Sequence, residues 1–357
     1  MARSTQLAQL PTASLASPAV GSTPEPLRRL RPALAAPRLS VIIVNYRQWE
    51  QTARLVRQLQ ASAAFRSGAA EVVVVDNHSP FHPVARKLRR MSGVSLRRWS
   101  RNFGFAKAVN EGGRLSRGDW FLLLNPDIDL SEGFLDGALA LADQLVATEP
   151  KAGVVGFHLR NSEGSQQLST GPFPSLWSTL TGLFLKRVRR KYNRPRSPER
   201  APVAWVTGCC LLLRKACLED LGGLDEDFFL YYEDVDLCLR ARERGWTVSY
   251  EPNLAVVHHH PLHRRAVPAA LRLVTRHSLL TYAAKHWPRW QFRVLAGVVG
   301  VETWLRRLSS WWRGDTKETK LFAALADLKR ELVRGDAAAA RARLDAAVRS
   351  IDVRVGV

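Results

Sequence analysis

From Asp225 to Asp236 the chain reads Asp-Glu-Asp-Phe-Phe-Leu-Tyr-Tyr-Glu-Asp-Val-Asp, six acidic residues set among apolar and aromatic ones. The protein as a whole carries 53 Lys+Arg against 32 Asp+Glu, a formal charge of +21, so this acidity runs against the composition. Carboxylates in a largely apolar setting are costly to desolvate unless they are paired, bind a metal or move protons. The segment therefore points to an active site. A helix beginning near Glu233 would set Asp236 and Arg240 four residues apart, as a structural ion pair. It would leave Glu233 and Asp234 at the amino end, where the helix field lowers the cost of negative charge and a carboxylate can act as a general base.

Other polar residues stand where apolar runs stop. Asn125-Pro126-Asp127-Ile128-Asp129 follows the run Trp120–Leu124. If extended geometry persists, Asn125, Asp127 and Asp129 share one face. Oxygen ligands aimed at one point suit Mg²⁺ or Mn²⁺, whose shell substrate phosphate and water complete. The alternative is a solvated turn with Asp129 capping the next helix. His258, the first of three consecutive histidines, follows the strand-like Leu254–Val257 and could bring an imidazole to the same metal. His260 and ordinary core hydrogen bonding are its rivals. Asp76 ends the run Val72–Val75 and opens Asp-Asn-His-Ser-Pro. Its carboxylate could accept from a nucleobase N–H or a ribose hydroxyl, or could close an Asx turn. Arg101-Asn102-Phe103-Gly104-Phe105 leads through a small-residue loop into a helix whose amino end could lie against a base or diphosphate. Helix capping by Asn102 is the plain alternative. Neither G-x-G-x-x-G nor a P-loop occurs.

The elements that must carry these residues alternate. Continuous apolar strands are expected at 39–46, 71–77 and 120–125, with a shorter one at 94–97. Helical stretches at 50–64, 82–91 and 105–115 separate them. Strand–helix alternation implies an α/β domain with a mostly parallel sheet, where ligands bind at the carboxyl ends of the strands. Asn45-Tyr46, Asp76-Asn77 and Asn125-Pro126-Asp127 all fall at such ends. Residues 160–202 turn polar and then basic, an expected ordered but mobile insertion flanking the site. A strand is expected at 204–213, and mostly helix beyond 263. Residues 1–37, rich in Ala, Pro, Ser and Thr, are expected to form a disordered tail.

Composition excludes some classes. Four scattered cysteines with no C-x-x-C pair form neither a disulfide framework nor a zinc site, and a reducing cytoplasm is the simplest setting. No run of about 18 uncharged apolar residues occurs, so no spanning helix is expected. The basic excess suits an acidic lipid surface, nucleic acid or a phosphorylated small molecule, or reflects an Arg- and Ala-rich coding bias.

Taken in order, Val41-Ile42-Ile43-Val44-Asn45-Tyr46-Arg47, Val74-Val75-Asp76-Asn77-His78-Ser79, Asn102-Phe103-Gly104-Phe105, Leu124-Asn125-Pro126-Asp127, Val206-Thr207-Gly208 and Glu233-Asp234-Val235-Asp236-Leu237-Cys238-Leu239-Arg240 resemble a family 2 inverting glycosyltransferase of GT-A fold, closest to the rhamnosyltransferase subgroup. The resemblance covers roughly residues 38–263, leaving 264–357 as a helical C-terminal region. It implies a Rossmann-like central sheet with flanking helices, a dTDP- or UDP-sugar donor, and Mg²⁺ or Mn²⁺. On that resemblance Asp234 is the catalytic base, and Gly208 and Glu233 join it at the acceptor. Asp127 and His258 hold the metal. Asn45, Tyr46, Arg47, Asp76, Asn77, Asn102, Gly104 and Asn125 face the donor. One departure is that Asn125 stands where the D-x-D motif has its first acid, giving a neutral oxygen in place of a carboxylate.

The expected activity is transfer of a sugar, rhamnose in this subgroup, to a glycan or polyprenyl-diphosphate-linked hydroxyl in cell-envelope polysaccharide synthesis. A sugar nucleotidyltransferase would carry a Gly-rich basic loop where Asn45-Tyr46-Arg47-Gln48-Trp49 stands. A nucleic-acid-binding protein would have no use for the acidic segment, so no nucleic-acid partner is expected. A non-catalytic relative would not need Asp127, Asp234 and His258. Trp and Arg alternate through 287–313, which suits peripheral seating on the inner face of the plasma membrane or packing of the C-terminal helices onto the catalytic domain.

Overall fold

The computed structural model describes residues 36–181, 198–259 and 269–351. The expected N-terminal tail up to residue 35, His260 and the basic run Lys186–Lys191 lie outside the described residues. The first strand, β1 (Leu39–Asn45), is buried along its whole length, as a continuous apolar run requires when both faces are covered. It is followed by α1 (Trp49–Gln60), α2 (Ala63–Arg66), β2 (Ala70–Asp76), α3 (Pro83–Arg90), β3 (Val94–Arg98), α4 (Phe105–Leu115) and β4 (Trp120–Leu124). These four strands pair in parallel in the order β3-β2-β1-β4, so their carboxyl ends form one rim.

Beyond β4 the sheet becomes mixed. It continues through β5 (Ile128–Leu130), α5 (Phe134–Thr148), β6 (Ala152–Arg160), β7 (Gln166–Gln167), β8 (Thr170–Gly171), α6 (Leu176–Thr181), β9 (Ala201–Pro202), β10 (Trp205–Val206), β11 (Cys210–Arg214), α7 (Lys215–Asp220), α8 (Glu233–Glu243) and β12 (Thr247–His258). The main path is β3-β2-β1-β4-β11-β6-β12-β5, with β11 antiparallel to both neighbours and β12 parallel to β6. The strand expected over 204–213 is in fact two, β10 and β11, parted by Thr207-Gly208-Cys209. The described part of the expected insertion is tied in. Its β7 extends the main sheet from β6, and Trp205 donates its indole N–H to the Pro172 carbonyl at 2.9 Å.

Alternate residues of the strands feed two cores, one on each side of the sheet. Val41, Ile43, Val72 and Val74 pack with α1, α3 and α5. Ile42, Val44 and Val75 pack with α4, α7 and α8. Gly112 permits close seating of α4 on β1, because a Cβ there would meet Ile42 Cγ2 at 2.5 Å. The C-terminal helices α9 (Ala269–His286), α10 (Arg289–Trp312), α11 (Thr316–Arg334) and α12 (Ala337–Ile351) join this second core, since Val274, Leu280, Phe322 and Leu344 belong to the same cluster as Ile42.

Candidate active site

The six acids of the Asp225–Asp236 segment separate by partner. Asp225 and Asp227 both bind Lys285 of α9, and Glu226 pairs with Lys107 at 3.0 Å. Asp236 lies between Arg240, at 2.8 Å, and His286 of α9, at 2.7 Å. These four build the structure, while Glu233 and Asp234 stand at the amino end of α8. Both are buried. Asp234 Oδ2 accepts the Gly208 amide N–H at 3.0 Å, and its Oδ1 accepts the Val235 amide N–H at 2.9 Å. Gly208 thus orients the carboxylate rather than merely standing near it.

The turn into α8 is strained. Tyr231 and Tyr232 have φ of +71° and +70°, a region bulky side chains seldom adopt and one that costs about 1–3 kcal/mol per residue. Neighbours hold it in place. The Leu230 carbonyl accepts from Ser278 Oγ of α9 at 2.8 Å, and the Tyr232 ring packs 5.6 Å from that of Tyr282. Burial raises the Tyr282 phenol well above its ordinary pKa, so it stays neutral there.

Across the cleft, the ends of β1 and β2 form a hydrogen-bonded unit. The Asn45 amide donates to Asp76 Oδ1 at 2.8 Å and to Ser79 Oγ at 3.1 Å, while its own oxygen accepts from Thr52 and the Gln48 amide. Arg98 Nε donates to the other Asp76 oxygen at 2.9 Å. Asn77 donates to Asn102 Oδ1 and the Gly104 carbonyl and accepts the Phe103 amide N–H, so it ties β2 to the loop before α4. Asn102 does not cap α4. The capping position is Gly104, at φ +91°, where a Cβ would lie 2.7 Å from the Phe229 carbonyl. Tyr46, Asn77, Asn102 and Gly104 line one small cleft with Val44, Phe105, Phe229 and Leu230. Arg47, at φ +60°, is exposed beside it, its guanidinium 5.3 Å from the Tyr46 ring centre.

The floor of the site is the turn after β4. Asp127 is buried at 2% exposure, and His258 Nε2 lies 3.4 Å from its Oδ1. Two donors bound to one Mg²⁺ at 2.0–2.1 Å would stand about 3 Å apart, so this pair fits a shared cation. No group of three or more His, Cys, Asp or Glu converges among the described residues, so most of such an ion's shell would fall to substrate and water. The other ring nitrogen of His258 is 2.8 Å from Gln167 Nε2. Asn125 is buried two residues before Asp127, its backbone N–H on the Cys209 carbonyl. Burial, reinforced by the charges of Asp127 and Asp234, pushes the Cys209 thiol up. The common face expected for Asn125, Asp127 and Asp129 does not form. The Pro126-Asp127 turn intervenes, and Asp129 bonds instead with Arg54, Gln58 and His259.

Three residues escaped the sequence reading. Gln167 lay in the stretch read as an insertion. Arg98 could have been found, because parallel pairing of β2 with β3 puts it level with Asp76. Arg341 of α12, 238 residues from Phe103, donates to the Phe103 and Glu226 carbonyls and lies 4.9 Å from the Phe229 ring centre. No local pattern marked it.

A parallel sheet turning mixed after its fourth strand, with a buried carboxylate at the amino end of α8 and an acid–imidazole pair at the turn after β4, is the frame of a GT-A glycosyltransferase. Residues 37–279 match the family described as "Glycosyltransferase like family 2", and the chain belongs to it. It is similar to the N-acetylglucosaminyl-diphospho-decaprenol L-rhamnosyltransferase of Mycobacterium tuberculosis, 29% identical over 306 residues, 79% of this chain and 97% of that one. It also resembles rhamnosyltransferase WbbL of Escherichia coli K12, 26% identical over 151 residues, 42% of this chain and 56% of the relative. Among solved structures, that of GalNAc-T7 with UDP, GalNAc and Mn²⁺ shares the fold with a TM-score of 0.50 at 14% identity, over 69% of this chain and 50% of that one.

Proposed function

We propose that this glycosyltransferase moves a rhamnosyl unit from a dTDP- or UDP-linked donor to a hydroxyl of a polyprenyl-diphosphate-linked sugar, with inversion at the anomeric carbon. The observation that carries the substrate class is the match along 97% of a decaprenol-linked rhamnosyltransferase. Because such an acceptor is anchored in lipid, the reaction belongs at the cytoplasmic membrane surface.

In this reading Asp234 takes the proton of the acceptor hydroxyl as the oxygen attacks the anomeric carbon. The nucleoside diphosphate departs from the opposite face with the bonding pair. The two backbone N–H groups on Asp234 fix the direction in which its carboxylate meets the acceptor. Glu233 and Gly208 complete the acceptor side. Tyr46, Arg47, Asp76, Asn102 and Gly104 border the nucleotide, on a frame braced by Asn45 and Asn77. Asp127 and His258 would hold Mg²⁺ or Mn²⁺ beside Asn125, and the bound ion would supply positive charge to the leaving diphosphate.

The test is incubation of purified protein with dTDP-rhamnose and a GlcNAc-diphospho-polyprenol, reading the product by mass. A product one deoxyhexose heavier is expected. Transfer from a different nucleotide sugar, with none from dTDP-rhamnose, would replace the donor assignment.

A further inference from the structure

Helix α10 carries two apolar faces, where a surface helix ordinarily carries one. Phe292, Leu295, Ala296 and Val299 point inward and are buried. Trp290, Val301, Trp304, Leu308, Trp311 and Trp312 point outward and are 41–77% exposed. At 3.6 residues per turn these six fall on one stripe along the helix, opposite the buried one. Arg289, Arg293 and Arg307 flank the stripe on one side, exposed and without an ion pair among the described residues. Trp177 of α6 is also 66% exposed, and Trp287 donates its indole N–H to the Pro174 carbonyl at 3.0 Å, tying the chain before α6 to the chain before α10.

An exposed apolar stripe along a surface helix, bordered by arginines, marks an interaction surface. We propose that the outer face of α10 is where the protein seats on an anionic lipid bilayer, the helix lying in the plane of the headgroups. Indole rings favour that depth, and a row of arginines beside them matches negative headgroups. A second copy of the chain is the poorer occupant, since each copy brings a formal charge of +21. No described helix is long and apolar enough to cross a membrane, so the contact is a seating and not a span. The seating reaches the site through α9. That helix packs on α10 and is bonded on both sides of Glu233-Asp234, at the Leu230 carbonyl and at Asp236. A bilayer under α10 therefore sets the height of Asp234 above the lipid. This inference rests on the lipid-linked acceptor proposed above.

The test uses the full chain. Wild type and the triple variant Trp304→Ser, Trp311→Ser, Trp312→Ser are sedimented with vesicles of equal parts phosphatidylglycerol and phosphatidylcholine, and with phosphatidylcholine alone, at low salt. Wild type is expected to pellet with the anionic vesicles. The triple variant should lose at least about tenfold in binding and keep its melting temperature, because the three rings are exposed. Transfer to a short-chain, water-soluble acceptor analogue should be the same in both proteins, while transfer to acceptor in vesicles should fall in the variant. Wild type that stays in the supernatant, or a variant that pellets as wild type does, overturns the inference. So does a dimer in sedimentation velocity that the three substitutions dissolve, which would make a second copy the occupant. Failure of the proposed function is a separate result, visible as no transfer by wild type to either acceptor.

Discussion

The amide N–H of Gly208 points at Oδ2 of Asp234 across 3.0 Å, joining two segments 26 residues apart in sequence. This bond fixes the carboxylate at the head of α8, and it is made by the loop that divides β10 from β11. That loop also carries Cys209, whose carbonyl accepts the Asn125 backbone N–H at 2.8 Å. Two peptide units thus link the candidate base to the turn that bears Asp127.

Asp234→Asn is expected to lower turnover by about 10²–10⁴-fold, since the amide cannot take the acceptor proton. Donor affinity should change little. One of the two N–H groups now on the carboxylate would face an amide NH₂, so a small drop in melting temperature is expected as well. Steady-state kinetics with donor binding by calorimetry separates the effects. Turnover within a few-fold of wild type would move the base role to Glu233.

Gln167 is expected to matter to the metal without touching it. For His258 Nε2 to bind a cation beside Asp127, its Nδ1 must carry the proton and donate, which a Gln167 side-chain oxygen can accept once the amide is turned. Gln167→Ala should weaken Mn²⁺ binding by about 10–100-fold, and Gln167→Glu should restore it. Asp127→Ala and His258→Ala should each abolish it. Mn²⁺ titration followed by electron paramagnetic resonance measures this independently of turnover. Unaltered binding in Asp127→Ala would remove the pair from the metal role.

The frame of the site was legible because strand ends announce themselves. Continuous apolar runs stop at Asn45, Asp76 and Leu124, and a parallel sheet brings those stops to one rim. Asp236–Arg240 was legible for the same local reason, a helical spacing of four. What stayed hidden depends on chain crossings. Asp129 parts from Asp127 because a turn interrupts the extended backbone, and its partners Arg54 and His259 lie on other elements. The tie from Arg341 to the loop before α4 exists only because four C-terminal helices share the catalytic core.

Arg341→Ala is expected to loosen the Asn102–Gly104 loop and the turn into α8 together. Its guanidinium satisfies two backbone carbonyls and pairs with Asp345 at 3.0 Å, so its loss should cost about 2 kcal/mol of stability. A structural role alone would lower the melting temperature and leave kinetics intact. A positioning role should also raise KM for the donor several-fold with a smaller change in kcat, and Arg341→Lys should rescue only part of it. Gly104→Ala reports on the same loop from the other side. The added Cβ would press on the Phe229 carbonyl at φ +91°, so a larger KM effect is expected.

His277 of α9 should set part of the acid limb of stability. Its ring is fully buried, and neither nitrogen has a hydrogen-bond partner among the described residues. Burial first, and the nearby Arg341 charge second, push its pKa down to about 3. Unfolded, the same imidazole titrates near 6.5. Between those values the unfolded chain binds the extra proton, so this contribution is whole above pH ~6.5 and is lost progressively as pH falls to about 3, at up to ~1.4 kcal/mol per pH unit. His277→Leu removes the group from both states, and its urea midpoint should vary less than that of wild type between pH 7 and pH 4. Arg341→Ala should narrow the window by letting the folded-state pKa rise. Denaturation series at matched ionic strength check both. Equal pH slopes in wild type and His277→Leu would remove His277 from the acid limb.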